Sequence, residues 1–167
     1  RGLGDVYKRQ GIYISQDPIR LEGGVTNIYA YVNDTNVWND IFALAGSGGA
    51  YMFGFESGEM YIGKGEINRM KKSIITRSKQ VQNPKLIGAA HVSTHGNNEL
   101  GKMVEYKAMR DAGFEHGSIP PNYLNTYLSG ETAWNANPSL RTEATQLANK
   151  LKADFNADVE RRRNIYK

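Results

Sequence analysis

Tyr51-Met-Phe-Gly-Phe-Glu-Ser-Gly-Glu-Met-Tyr61-Ile-Gly63 is the stretch that decides the fold of this chain. Residues 51–55 are rich in β-forming side chains, and Ser57-Gly58 supplies a turn at which the chain can reverse. Residues 59–62 then form a returning strand. The pattern predicts a tight β-hairpin, closed by Gly63-Lys64-Gly65.

Beyond the hairpin the sequence predicts two helices separated by a strand. We expect the first helix over 67–79 and a third strand over 86–90. Asn97-Asn98 can cap a second helix over 99–112, because an asparagine side chain accepts a hydrogen bond from a free amide at a helix start. Apolar residues recur at helical spacing in that segment, and Gly113 ends it.

A long helix is expected near the C-terminus of the chain. A loop begins at Pro120-Pro121, and Asn137-Pro138-Ser139 then opens an amphipathic helix that ends in Arg161-Arg162-Arg163. Its expected buried stripe is Leu140, Ala144, Leu147, Leu151, Phe155 and Val159. The order hairpin, helix, strand, helix, loop, helix predicts an α+β fold in which a small sheet is flanked by helices.

Composition removes several classes of function. The 167-residue chain has no cysteine, so it cannot contain a disulfide framework, a zinc-thiolate site or a cysteine nucleophile. It has only three histidines, which makes an all-histidine metal site improbable. No apolar run approaches the roughly 20 residues needed to span a bilayer, and we therefore expect no membrane insertion.

Positive charge is concentrated just after the hairpin. From Lys64 to Lys85 the chain has seven basic residues and a single acid, Glu66, against a net charge of +4 for the whole chain. Such a local field suits a polyphosphate partner. A solvated helix face is the alternative, and it is the more common origin of an isolated basic run.

Few residues in this region could carry phosphodiester chemistry. Arg69, beside Lys64 and Lys71, could stabilise the charge of a reacting phosphate. Glu105 is the acid nearest the middle of the second helix, and one carboxylate with waters and substrate oxygens is a normal way to hold magnesium. A tyrosine close to these cations and to a metal can have its pKa lowered. Many surface helices would offer the same residues, so this set is a hypothesis only.

The spacing of two tyrosines resembles a known nuclease signature. Tyr51 and Tyr61 lie ten residues apart across the hairpin, and the second stands in Tyr61-Ile62-Gly63. This is similar to the GIY-YIG nucleases, also called the URI superfamily, although the first motif is reduced here to Ala50-Tyr51-Met52. The further matches in family order are Lys64-Gly65, Arg69-Met70 and Val104-Glu105-Tyr-Lys-Ala-Met109.

Residues 50–130 most resemble the URI-type toxin domains attached to RHS proteins. The residues that follow that pattern, in order, are His91, Glu105, Tyr123, Asn125 and Ser129-Gly130. The resemblance implies hydrolysis of a nucleic-acid phosphodiester with one divalent ion, expected to be Mg²⁺. Tyr61 or Tyr51 would orient or deprotonate the attacking water. Arg69 would hold the scissile phosphate, Glu105 would bind the metal, and His91 would assist proton transfer. The implied substrate contacts are Gly63, Lys64, Lys71 and Asn125.

Each of these residues also has a structural interpretation. The two tyrosines could be plain strand aromatics, and Arg69 could be a surface helix residue. Glu105 could pair with Lys102 or Lys107, or Glu99 could be the ligand in its place. His91 could be a satisfied core histidine, and Asn125 could bond its own loop backbone.

The residues before position 45 fall into two segments. Residues 1–10 fit nothing downstream and are similar to a translated adapter scar, so we expect the natural chain to extend further upstream. Residues 11–44 resemble the C-terminal end of an RHS-repeat-associated core, a β-shell that encloses a toxin. The matches are Tyr13-Ile-Ser-Gln-Asp-Pro-Ile, Gly23-Gly24, Asn27-x-Tyr29-x-Tyr31-Val-Asn33 and Trp38-x-Asp40-x-x-x-Leu44.

The resemblance also implies a boundary between shell and effector. In the family, self-cleavage after the boundary leucine uses aspartates, and Asp40 and Asp17 would be the matching residues. The boundary here reads Asp40-Ile-Phe-Ala-Leu44 and lacks the family's Pro and Gly, which puts that cleavage in doubt, and Asp17 in Asp-Pro also suits an ordinary turn. Residues 45–49 form a Gly/Ser linker, and residues 50–167 are then the effector.

The two resemblances together imply an endonuclease toxin. It would be secreted from the producer cell within an RHS shell and would act in the cytoplasm of a target cell, on DNA more than on RNA. The producer would hold a cognate immunity protein, expected to be acidic. One alternative is a catalytically degenerate nucleic-acid-binding module on the same fold. Another is a structural C-terminal cap of the shell.

Overall fold

The computed structural model describes residues 48–165. The predictions for residues 1–10, for 11–44 with Asp17 and Asp40, and for 45–47 of the linker lie outside the described residues. The predicted linker 45–49 is wrong at its end, because Gly49 is the buried first residue of a β-strand. Within the described range, the chain is α+β, with a small antiparallel sheet and a long C-terminal helix. The predicted fold class is confirmed at that level.

Three antiparallel strands form the sheet. β1 (Gly49–Phe55) lies in the middle, with β2 (Met60–Lys64) on one side and β3 (Leu86–Ser93) on the other. The predicted hairpin is confirmed, because Gly58 occupies the turn at φ 101°. Its amide donates to the Phe55 carbonyl over 2.9 Å. Only glycine adopts a positive φ of this size without a steric penalty, so this turn residue fixes where the chain reverses.

Residues 48–165 contain four α-helices, which are α1 (Ile67–Gln80), α2 (Asn98–Asp111), α3 (Glu131–Ala136) and α4 (Arg141–Ile165). The predicted positions of α1, α2 and α4 are confirmed, and α4 is preceded by one 3₁₀ turn, Pro138–Leu140. The short helix α3 was not predicted. In the part of the chain that the structure describes, no helix is long and apolar enough to cross a membrane.

The predicted cap of α2 is also confirmed. Asn97 Oδ1 accepts a hydrogen bond from the Leu100 amide over 3.0 Å, which satisfies one of the amides left free at a helix start. The N-terminus of α2 is thereby fixed beside the end of β1, because Gly101 in its first turn lies against the Gly49 carbonyl.

Helices cover both faces of the sheet, and β1 is therefore buried along its whole length. Ala50 and Met52 belong to a core that β2 and β3 share with α2 and α4. The alternate residues Tyr51 and Phe53 lie on the other face, where α1 packs with its buried side chains Ile67, Met70 and Ile74. The period-2 alternation of a strand thus places Tyr51 under α1.

The sheet has two edges, and both are covered. Beside β2, the Asn122 carbonyl accepts from the Met60 amide, and the Leu124 amide donates to the Met60 carbonyl, each over 2.8 Å. Beside β3, a carboxylate oxygen of Asp158 accepts from the Ala89 amide over 2.9 Å. Covered edges cannot template pairing with another chain.

Asp158 is the polar residue in an otherwise apolar stripe of α4. The stripe is as predicted at Ala144, Leu151 and Phe155, but Asp158, only 5% exposed, is buried beside Val159. Burial acts to raise the pKa of the Asp158 carboxyl, while hydrogen bonds from Arg161, Arg162 and the Ala89 amide lower it, and the net shift is downward.

We expect Asp158→Asn to destabilise the fold by roughly 1.5–3 kcal/mol at neutral pH, the typical contribution of hydrogen bonds to a charged group. Because the pKa of Asp158 is lowered in the folded state, its carboxylate contributes stability above the ordinary value of 3.8. That stability is lost as the pH falls through the lowered value. Chemical denaturation of both proteins from acid to neutral pH measures the difference.

Glu160→Gln is the matched control. Glu160 lies two residues away, is exposed and pairs only with exposed Arg163, so its substitution should change stability by less than about 1 kcal/mol. An Asp158→Asn cost that is equal to that of the control, or that does not shrink at acid pH, would contradict this account of α4.

Candidate active site

Tyr51 stands at the centre of a row of three residues that runs across the sheet. It is paired with Gly63 of β2 on one side and with His91 of β3 on the other. A Cβ added to Gly63 would lie 2.6 Å from Cζ of Tyr51 and 2.7 Å from its hydroxyl oxygen. Only a residue without a side chain leaves room for the tyrosine ring, so the glycine of Tyr61-Ile62-Gly63 is a packing requirement.

The turn after β2 is tied to both other strands. The Gly65 amide donates to the Gly49 carbonyl over 2.8 Å, and the Gly65 carbonyl is 3.0 Å from His91 Nε2. Because a carbonyl only accepts, Nε2 carries the proton. Gly65 has φ 125°, and a Cβ there would lie 2.6 Å from Arg69 Cδ. The turn thus leads directly into α1 with Arg69 folded back over it.

His91 is held in a structural contact. Burial lowers the pKa of its imidazole and the bond to Gly65 raises it, with a net shift downward, so the ring is neutral at pH 7. Its Nε2 proton is committed to the Gly65 carbonyl, as the satisfied-histidine alternative required. Participation of His91 in proton transfer stays a prediction.

The Tyr51 hydroxyl lies beneath α1. It is 2.8 Å from the Ser73 hydroxyl, and the side chain is 1% exposed. Burial raises the pKa of Tyr51, more than the neighbouring Ser73 and Arg69 lower it. A lowered tyrosine pKa is expected beside both cations and a metal and stays a prediction; at Tyr51 the nearby cation alone does not outweigh the loss of solvent.

Tyr61 is more accessible and lies diagonally beside Tyr51 on the same face. Its ring stacks on Phe53, with centroids 5.3 Å apart, and on Tyr51 at 6.2 Å. The guanidinium of Arg77 lies over its ring, 4.7 Å from the centroid. Arg77 was not predicted as a site residue, although Arg69, Ser73 and Arg77 recur at intervals of four and so share one face of α1.

Glu105 is a buried carboxylate with one unbonded oxygen. The residue is 6% exposed, and its Oε2 has no hydrogen-bond partner among the described residues. The nearest cation is Lys64, whose Nζ is 4.0 Å from Oε2. Burial raises the pKa of Glu105, against opposing effects of Ser129, Lys64 and Arg69.

The local pairings considered for Glu105 are not present. Lys102 pairs with Glu99, and Lys107 pairs with Asp111. Glu99, the alternative metal ligand, is exposed and occupied by that lysine. Among the acids of α2, Glu105 is therefore the one whose carboxylate is buried and has an oxygen without a hydrogen-bond partner among the described residues.

Arg69 connects the two halves of the site. It lies close enough to the Tyr51 hydroxyl and to the Glu105 carboxylate to lower the pKa of both. Tyr51 comes from the central strand and Glu105 from the opposite helix layer, so a single guanidinium acts on groups from both sides of the sheet.

Two clefts open around these groups. The first, of about 300 Å³, is lined by Gly49, Lys64, Gly65, Arg69 and Lys102, with Asn98, Glu99 and Gly101 at the start of α2. The second is a narrower slot of about 100 Å³. Its lining includes Tyr61, Arg77, Glu105, Asn125 and Tyr127. Lys64 lines the first cleft and approaches the carboxylate that lines the second, so the two share a wall.

The remaining predicted residues have other surroundings. Asn125 Oδ1 accepts from the Ile62 amide over 3.0 Å, and its Nδ2 donates to the Ile62 carbonyl over 2.7 Å. The side chain therefore continues the sheet beyond β2, and a phosphate contact by its remaining N–H stays a prediction. Lys71 is exposed on α1 and lines neither cleft.

Comparison with known proteins gives no relative. No protein family, curated protein or solved structure matches the chain.

A divalent cation would find one protein carboxylate here. Residues 48–165 contain no group of three or more His, Asp or Glu side chains that could hold a metal. Glu105 Oε2 fits a different arrangement, in which one carboxylate and several waters hold Mg²⁺ and the substrate supplies further oxygens. The partly exposed Lys64 at 4.0 Å would have to move aside.

We expect Gly63→Ala to destabilise the protein by about 1–3 kcal/mol, the usual cost of overpacking, because its Cβ would overlap the Tyr51 ring. The free energy of unfolding from chemical denaturation measures this loss. A double-mutant cycle with Tyr51→Val is the control, since the smaller side chain leaves space for the methyl group. If the two substitutions are simply additive, the tyrosine ring is not what requires the glycine.

The free energy of unfolding of the Glu105→Gln variant should increase relative to that of the wild type as the pH rises. With its pKa raised in the folded state, Glu105 holds its proton to higher pH in the folded protein than in the unfolded one. Stability is therefore lost above the ordinary value of 4.5, and glutamine has no such loss. Thermal unfolding from pH 4 to pH 8 tests the trend, and exposed Glu99→Gln is measured in parallel as the control for removal of a carboxylate from α2. A flat difference for Glu105→Gln would remove the argument that its buried charge opposes folding.

Proposed function

We propose that residues 50–167 are a metal-dependent endonuclease of the GIY-YIG type that hydrolyses nucleic-acid phosphodiester bonds. The observation that carries the proposal is the buried Glu105 carboxylate with its unbonded Oε2, which lies 4.0 Å from Lys64 Nζ, a lysine that lines the same cleft as Arg69. A cation, tyrosine hydroxyls and a carboxylate with an unbonded oxygen are the groups that this hydrolysis requires.

The first cleft supplies the phosphate contacts. Lys64 and Arg69 both line it, and a guanidinium binds two phosphate oxygens at once. Arg69 is fixed at its base by Gly65, whose missing side chain leaves space for Arg69 Cδ. A phosphodiester in this cleft would have its developing negative charge next to two cations.

Glu105 would hold the divalent ion through Oε2. When bound, such an ion acts as a Lewis acid on a phosphoryl oxygen and lowers the pKa of bound water. The protein contributes the ionised carboxylate, and Lys64 and Arg69 favour that form because each lowers the pKa of Glu105. Burial opposes them, so activity should increase as the pH rises through the range in which Glu105 loses its proton.

The two tyrosines then have different tasks. Tyr51 stays protonated at neutral pH, since burial raises its pKa, and its hydroxyl positions Ser73 and Arg69. Tyr61 lines the same slot as Glu105, and for this reason we assign to its hydroxyl the orientation of an attacking water. This refines the assignment in which either tyrosine could act on the water.

The biological setting of the proposal rests on the sequence resemblance. The domain would be the C-terminal effector of an RHS-type secreted toxin, released into the cytoplasm of a target cell and neutralised in the producer by an immunity protein. DNA is the preferred substrate class. The antiparallel sheet, the tyrosine hairpin and the following helix with Arg69 support the GIY-YIG fold.

A catalytically degenerate nucleic-acid-binding module is the second candidate. Two observations favour it: the first motif is reduced to Ala50-Tyr51-Met52, and the pKa of Tyr51 is raised. Binding that persists in chelator, with no cleavage under any divalent metal, would support this candidate over the nuclease.

We expect the full chain to cleave nucleic acid with Mg²⁺ and not with chelator. Arg69→Ala should lower the cleavage rate by about 10²–10³-fold, as expected for loss of one transition-state cation. Glu105→Gln should remove the metal dependence together with the activity while preserving the fold. Incubation with plasmid DNA and with total RNA measures both rates, and circular dichroism verifies folding.

Lys152→Ala is the matched control for charge, because Lys152 is exposed on α4 and lines neither cleft. Asp111→Asn is the matched control on α2, because Asp111 pairs with Lys107 and lines neither cleft. Both should cleave like the wild type. If Arg69→Ala and Glu105→Gln also cleave like the wild type, the proposed site is wrong.

A further inference from the structure

Tyr127 is an exposed aromatic residue at the rim of the slot. It is 68% exposed, and the only other large exposed apolar side chain among residues 48–165 is Ile165, on the last turn of α4. A single exposed apolar residue is ordinary on a protein surface. Tyr127 differs from Ile165 because it lines the slot that Glu105 also lines.

The loop that carries Tyr127 is fixed on both sides of it. Tyr123 packs edge-on against Phe114 with centroids 4.9 Å apart, and Leu128 packs against the core. Between them, Asn125 is bonded to both backbone groups of Ile62. The exposed ring is therefore presented by a loop anchored to the sheet and the core, which reduces the entropy lost when a ligand binds.

Arg77 provides a second flat surface in the lining of the slot. The guanidinium of Arg77 is stacked on the Tyr61 ring, 4.7 Å from its centroid. Both residues line the slot with Tyr127. The slot therefore combines an aromatic ring, a guanidinium plane and, from Asn125 and Glu105, polar atoms. Aromatic rings and arginine are the groups on which nucleobases stack.

We propose that the slot binds an unpaired nucleobase, stacked on Tyr127 and Arg77, and that the substrate is therefore single-stranded or locally unpaired nucleic acid. This inference rests on the proposed function, since it places the base of a nucleotide whose phosphate lies in the adjoining cleft. The Lys64 side chain belongs to the wall between the two spaces. A base paired within a duplex is stacked on its neighbours and cannot enter a narrow slot without first leaving the helix.

A protein side chain is the less suitable occupant. Besides its aromatic rings, the slot is lined by the polar side chains of Arg77, Asn125, Thr126 and Ser129, and an apolar side chain could not hydrogen-bond with them. A nucleobase offers an aromatic face to Tyr127 and Arg77, and its edge carries donors and acceptors for Asn125, Thr126 and Ser129, while Glu105 Oε2 is left for the metal ion.

Binding in chelator separates this inference from catalysis. We would measure fluorescence anisotropy of the full chain with three labelled DNA probes: a short single strand, the same strand in a blunt duplex, and an oligomer of equal length with abasic sugars. We expect tighter binding to the single strand than to the duplex. Tyr127→Ala should weaken single-strand binding by roughly tenfold, as expected for loss of one base-stacking ring, and should not affect the abasic oligomer.

Two variants serve as controls. Tyr127→Phe keeps the ring and should bind like the wild type, and Ile165→Ala removes the other exposed apolar side chain and should also have no effect. The ratio of wild-type to Tyr127→Ala affinity should be the same at low and high salt, because stacking releases no counterions. Arg69→Ala should instead lower the salt dependence of binding.

The inference is overturned if Tyr127→Ala binds the single strand like the wild type, or if it weakens the abasic oligomer or the duplex equally. Equal losses for Tyr127→Phe and Tyr127→Ala would also overturn it, since they would point to the hydroxyl. Absence of Mg²⁺-dependent cleavage by the wild type would instead refute the nuclease assignment and leave the binding result standing.

Discussion

The contact on which the site depends is the packing of the Tyr51 ring against Gly63. It sets the distance between β1 and β2 at the point where the chain turns toward α1. The hydroxyl of that tyrosine contacts Ser73 on α1, so the same side chain also sets the position of the helix. Arg69, one turn before Ser73, is thereby directed to the end of the sheet. The packing of Tyr51 in the sheet thus limits where the guanidinium of Arg69 can lie.

A sheet of only three strands has to protect two edges, and each covering segment contributes to more than stability. The loop beside β2 is held by Asn125 and presents Tyr127 at the slot. The helix beside β3 is held by Asp158 through the Ala89 amide. The long helix α4, for which the sequence offered no role, therefore fixes the strand that carries His91. The segments that cover the two sheet edges thus also position residues of the candidate site.

Sequence patterns predicted the elements whose signals are local. The hairpin follows from its turn glycine, and α2 from its Asn97 cap. The short helix α3 was not predicted, because it has six residues and begins after Gly130 without a side-chain cap. Asp158 could not be predicted, because its partner lies 69 residues away in the chain. The raised pKa of Tyr51 depends on burial, which no spacing reveals. Arg77 could have been predicted as a site residue, because it follows Arg69 by eight residues and therefore lies on the same face of α1.

The central claim is that Glu105 and Arg69 act on one phosphate with one divalent ion. It is tested most directly by crystals of the chain with Mn²⁺ and an oligonucleotide whose phosphorothioate linkages resist cleavage. The account predicts a single anomalous peak beside Glu105 Oε2, with a backbone phosphate contacting Arg69. Manganese bound elsewhere, for example at exposed Glu99, with none at Glu105, would contradict it.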